Sequence, residues 1–145
     1  MTISLPDVNV WVAIAAGGHV HHLPANDWFA AQPGASVAFC RVTQAGMLRL
    51  LTNSSAMNGA PKTIEQVWDI SDRLRSDHRI IFAEEPDGLE PLWKKLMTQR
   101  GVGPSSWTDA YLAAFAGKQP FSLVTFDHGL RRWTEVALNV LGEPG

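Results

Sequence analysis

Ile3-Ser4-Leu5-Pro6-Asp7-Val8-Asn9-Val10-Trp11 runs from an apolar stretch through an aspartate into a second apolar stretch of different period. Residues 2–6 read as a short strand. Pro6 has no backbone N–H to give a sheet ladder, so it belongs at the strand's end. Asn9 to Ala16 reads as a helix, and Gly17-Gly18 stops it. A strand that closes on an acidic residue and passes directly into a helix suits an open parallel α/β sheet. Ligands bind such sheets at the carboxyl ends of the strands.

The same arrangement recurs near the other end of the chain. Ser122-Leu123-Val124-Thr125-Phe126-Asp127 is the last strong apolar run, and it too closes on an aspartate. Between the two, Trp107-Thr108-Asp109-Ala110-Tyr111-Leu112-Ala113-Ala114 opens a small-residue helix on a third. Each aspartate taken alone is explained by helix capping or turn formation. Capping does not require all three to fall at one edge of one sheet. Converging carboxylates repel one another unless a cation joins them, and oxygen-only ligands suit Mg²⁺ or Mn²⁺. Asp7, Asp109 and Asp127 are therefore the candidate metal-binding and catalytic residues.

Working outward, helical and strand patterns alternate. A helix is expected from Pro24 or Ala25 to Ala31, a strand over Val37 to Cys40 and a helix over Val42 to Leu51. Thr63-Ile64-Glu65-Gln66 matches a capping box and starts a helix to about Arg75. A strand follows at Ile80 to Ala83, then a helix from Leu89 to Arg100 ended by Gly101. The helix carrying Asp109 is expected to end at Gly117. Leu123 to Phe126 is a buried strand, His128 to Trp133 a helical turn, and Val136 to Leu141 a final strand. The alternation predicts an α/β fold with a mainly parallel sheet of four to five strands and helices on both faces. No repeat or linker divides residues 1–145, so one domain is expected.

Bulk composition narrows the function. Apolar residues make up 46% and charged residues 18%, which excludes a disordered chain. The net charge is −2, so no overall basic field attracts nucleic acid, and any such contact must rest on local groups. The candidate groups are Arg73, Arg75 and Arg79; Lys94, Lys95 and Arg100; and Arg131 with Arg132, and each reads first as a solvated helix face. Cys40 is the single cysteine, which excludes an internal disulfide and a cysteine-based zinc cluster and fits a cytoplasmic location. The N-terminus carries no basic stretch leading into an apolar core, and no apolar run is long enough to span a bilayer, so neither export nor a membrane partner is expected.

Other motifs are weaker. Asn9 stands where a haloacid-dehalogenase phosphatase would place a second Asp, which counts against that class. The phosphate-binding glycine loops are missing. His19, His21 and His22 match no closed zinc site and read as exposed loop residues. Trp28, Trp68 and Trp93 fit helix core faces, whereas Trp11 and Trp107 lie near the acidic edge and are candidates for lining a groove. Period-two alternation turns Phe126 into the core.

Taken together, these residues resemble the PIN-domain ribonucleases, in particular the VapC toxins of toxin–antitoxin pairs. Leu5-Pro6-Asp7-Val8-Asn9-Val10-Trp11 is similar to the family's first acidic motif. Asp109-Ala110-Tyr111-Leu112-Ala113-Ala114 is similar to its Asp-Ala-x-Leu-Ala-Ala helix, and Thr125-Phe126-Asp127 to its Thr-x-Asp motif. The resemblance implies a PIN-like three-layer sandwich and Mg²⁺ or Mn²⁺ at the acidic edge. It also implies RNA hydrolysis, a homodimer and inhibition by a cognate VapB-type antitoxin. Asn9, Thr43 and Thr125 are then supporting groups around the carboxylates, and Arg41, Arg131 and Arg132 are candidates to hold the RNA backbone.

The departure is Gln44, in Cys40-Arg41-Val42-Thr43-Gln44-Ala45, where the family usually carries Glu. An amide there adds no negative charge. It leaves open a second reading, a catalytically weak module that binds RNA or a partner.

Overall fold

The computed structural model describes residues 2–142. Its centre is a five-stranded sheet in the order β3-β2-β1-β4-β5, parallel throughout. The strands are β1 (Ser4–Pro6), β2 (Val37–Phe39), β3 (Ile80–Phe82), β4 (Ser122–Thr125) and β5 (Leu138–Val140). The helices are α1 (Val8–Ala15), α2 (His22–Ala30), α3 (Arg41–Leu51), α4 (Ile64–Ser76), α5 (Leu89–Met97) and α6 (Trp107–Lys118). Short 3-10 turns cover Pro104–Ser106 and His128–Arg132.

Two apolar cores lie on opposite faces of the sheet, which makes three layers. One gathers Leu96, Leu112 and Phe115 of α5 and α6, with Leu5 and Leu123 from the sheet. The other gathers Trp11, Phe29, Met47, Leu51 and Val67 from α1 to α4, with Val37 and Phe39. β2 shows how one short strand serves both faces: Val37 and Phe39 turn to the second core and Ala38 to the first, as pleating requires.

Several expectations are corrected. α2 starts at His22, ahead of Pro24, because proline is tolerated in a helix's first turn, where its missing N–H has no intrahelical partner. α5 ends at Met97 rather than Arg100. Gly117 does not end α6, which continues to Lys118. A Cβ at Gly117 would lie 3.0 Å from Leu92 Cδ2, so the glycine permits close approach of α6 to α5. β5 is shorter than the stretch from Val136 to Leu141.

Trp11 is fully buried between Phe29 and Phe39 and lines no groove. Trp68 is half exposed on α4 rather than in the core. Trp107 is also half exposed, set edge-on to Trp93, and lines an apolar groove against α5 rather than the acidic edge.

Candidate active site

β1 and β4 are adjacent and in register, Pro6 beside Val124. Both end at the same edge of the sheet, so the residues that follow them, Asp7 and Asp127, come to one place. α6 brings Asp109 there in its first turn. An open cavity of about 420 Å³ is lined by all three, together with Asn9, Thr125, Phe126, His19 and His21.

The capping and functional readings of these aspartates are compatible. Asp7 is the N-cap of α1, its Oδ1 accepting from the Val10 N–H at 3.0 Å. Asp127 caps the turn that follows β4, accepting from the Gly129 N–H at 2.8 Å. These bonds fix both side chains at the edge. Thr125, fully buried, links them. Its Oγ1 accepts from the Asp127 N–H at 3.0 Å, and its hydroxyl donates to the Asp7 carboxylate.

Charge at the cavity is crowded. Burial raises the Asp7 carboxyl to about 6, and Asp109 and Asp127 push the same way; the bonds from Thr125 and Val10 oppose them. Burial also raises Asp109, with Asp127 adding to it. Among the described residues, no group of three or more His, Cys, Asp or Glu side chains is preassembled around a metal position. The three carboxylates nonetheless fit a hard cation: they are oxygen donors, mutually repelling and partly withdrawn from water.

The remaining sequence candidates divide. Asn9 and Thr125 line the cavity. Gln44 does not; it is buried on the α4 side of α3, donating from Nε2 to Ser71 Oγ at 3.0 Å and accepting from Arg41. Thr43 is buried at the start of α3, where its hydroxyl accepts from the Cys40 N–H and donates to the Cys40 carbonyl. Arg41 lies over the Phe82 ring. Arg132 donates to the carbonyls of Gly129 and Gly101. Arg41, Arg131 and Arg132 are all outside the cavity lining.

Sequence reasoning missed His19, His21 and Phe126. Phe126 lies one residue beyond β4, so strand alternation no longer governs it. Instead of entering the core it stacks on His21, with ring centroids 4.4 Å apart and planes 18° from parallel. The Gly17-Gly18 turn and the bond between His22 Nδ1 and the Ala13 carbonyl fold the loop back along α1. That places His19 and His21 on the cavity wall. Burial, with His21 and His22 nearby, lowers the His19 pKa.

The fold and this acidic edge define a PIN domain, and the PIN domain family model matches residues 4–136. Ribonuclease VapC41 of Mycobacterium tuberculosis is 39% identical to the chain, over 96% of the chain and 99% of that protein. Among solved structures, M. tuberculosis VapC20, described as a sarcin-ricin loop cleaving toxin, superposes with a TM-score of 0.67 at 16% identity, over 89% of this chain and 93% of that one. VapBC2 from Rickettsia felis, solved bound to a DNA fragment from its promoter, also gives 0.67 at 16% identity, over 96% of this chain and 98% of that one. The chain belongs to the PIN-domain family and, within it, to the VapC group.

Proposed function

We propose that this chain is a metal-dependent endoribonuclease, the toxin of a type II toxin–antitoxin pair, held inactive by a VapB-type antitoxin. The observation that carries the reading is the convergence of Asp7, Asp109 and Asp127 on one open cavity at the carboxyl ends of β1 and β4. The near full-length likeness to a named VapC ribonuclease supports RNA as substrate. The solved VapBC2 assembly supports a VapB-type partner. A homodimer and a cytoplasmic location accompany this reading. No helix among the described residues is long and apolar enough to cross a membrane.

Asp7, Asp109 and Asp127 would hold Mg²⁺ or Mn²⁺. Bound there, such an ion supplies an acidified water and polarises the phosphate oxygens. The chain's own groups do the rest. Thr125 and the Val10 N–H keep the Asp7 carboxylate oriented. The Gly129 N–H keeps Asp127 at the edge. Asn9, His19 and His21 line the same cavity, within which their polar atoms can hold a phosphodiester in place.

The weak-module alternative rests on Gln44 standing where the family usually carries Glu. The amide is engaged by Ser71 and Arg41, away from the cavity, and the three aspartates carry the site without it.

The test is cleavage of a labelled single-stranded RNA by the wild-type chain with Mg²⁺, with Mn²⁺ and with chelator, beside Asp7→Asn and Asp109→Asn. Cleavage should need the cation and be lost in both variants while their melting curves remain cooperative. Full activity in either variant refutes the site.

A further inference from the structure

A second groove adjoins the acidic cavity. It has a volume of about 380 Å³, and Asn9 and Asp109 line both. Its far side is built by the face of α3 that carries Val42 and Arg49, by Ser105 of the 3-10 turn before α6 and by Thr108 in the first turn of α6. Among the described residues, no lysine or arginine lines the acidic cavity, and Arg49 is the one lysine or arginine in the second groove.

The other arginines considered for substrate contact are engaged. Arg41 bonds Gln44, Arg132 bonds two backbone carbonyls, and Arg131 interacts with His128. Arg49 is exposed, and among the described residues its guanidinium has no hydrogen-bond, ion-pair or ring partner.

We infer that this groove is a subsite for a phosphate of the RNA strand next to the one cut, with Arg49 as its charged clamp and Ser105 and Thr108 as neutral donors. The inference rests on the ribonuclease reading. A strand whose scissile phosphate sits among Asp7, Asp109 and Asp127 must leave the cavity along a wall, and Asn9 and Asp109 form the shared one. The acidic cavity repels polyanion, and the chain's net charge of −2 supplies no compensating field. A local cation at the exit offsets that repulsion. Arginine suits the task because its planar fork meets phosphate oxygens in pairs. Such a contact positions the strand without reading its sequence.

The experiment measures binding of a fluorescent single-stranded RNA of mixed sequence over a range of KCl concentrations. An Asp127→Asn background is used to suppress turnover, because Asp127 does not line the second groove. Arg49→Ala should weaken binding about tenfold. It should also reduce the slope of log Kd against log salt by about 0.7, the loss of one phosphate contact on a single strand. Arg49→Lys should keep the slope and recover most of the affinity. In the otherwise wild-type chain, Arg49→Ala should raise KM far more than it lowers kcat. An unchanged Kd and slope in Arg49→Ala overturns the subsite and leaves the ribonuclease reading standing. Failure of the wild-type chain to cleave RNA with either cation overturns both.

Discussion

Gln44 and Ser71 are joined by a 3.0 Å hydrogen bond from the amide Nε2 to the hydroxyl, and the bond ties α3 to α4 in the interior. One residue step separates Gln44 from Ala45, which lies on the face of α3 that carries Val42, Ala45 and Arg49 beside Asp109. A helix turns about 100° per residue, so residue 44 is directed away from the acidic edge even though its neighbours border it. α3 therefore contributes no carboxylate to the site.

Gln44→Glu should leave Mg²⁺ and Mn²⁺ affinity unchanged in a calorimetric titration, because position 44 does not line the cavity. The variant should be less stable by about 1–3 kcal/mol, since a carboxylate replaces a buried amide whose donor bonded Ser71. Tighter Mn²⁺ binding by the variant would show that residue 44 reaches the cavity after all.

Asp7 should make the metal-free chain less stable as pH rises. Its carboxyl is raised to about 6 from an ordinary value of 3.8, so the folded state binds a proton that the unfolded state has already released. The associated stability is fully present below about pH 4 and is lost as pH climbs through 6. The loss amounts to about 2–3 kcal/mol. Urea denaturation in chelator across this range should show the decline, and Asp7→Asn should flatten it. The asparagine keeps an oxygen to cap α1, so the variant should be the more stable chain at pH 7 without metal. Equal pH profiles for the two proteins would contradict the buried-carboxylate account.

Divalent cation should reverse that penalty. An ion that binds the folded chain and not the unfolded one raises Tm by mass action, with a shift that grows with its concentration. Mg²⁺ and Mn²⁺ should each do so for the wild type. The shift should shrink sharply in Asp109→Asn. Thermal melts that ignore both ions in the wild type would remove the metal from the mechanism.

Thr125→Val keeps the shape of the side chain and removes the hydroxyl shared by Asp7 and the Asp127 N–H. The cost should be about 1–3 kcal/mol, because the Asp127 amide and the Asp7 carboxylate lose a partner near the interior. The Asp7 carboxyl should rise further, and the metal concentration for half-maximal cleavage should rise with it. An unaltered metal requirement would reduce Thr125 to a packing residue.

Much of this molecule was legible along the chain. Strand–acid–helix junctions are local features, and Asp7 and Asp127 are held by bonds to N–H groups two or three residues away. The five strands and six helices among the described residues follow from apolar periodicity, Thr63 capping and turn residues, all short-range. The meeting of Asp7, Asp109 and Asp127 at one edge was therefore readable without coordinates. So was the likeness of their motifs to a family to which the chain belongs.

Tertiary structure decided the rest. Which face of α3 meets the acidic edge depends on how that helix rotates as it packs on α1 and α4, and one position in the sequence separates the two faces. The return of the loop after Gly17-Gly18, the stacking of His21 on Phe126 and the burial of Trp11 depend on contacts between segments far apart in the chain. The groove at Arg49 arises the same way, from α3 and the start of α6 meeting side by side. Local propensity determines where elements begin and end, but a cavity is a relation between elements, and only their packing creates it.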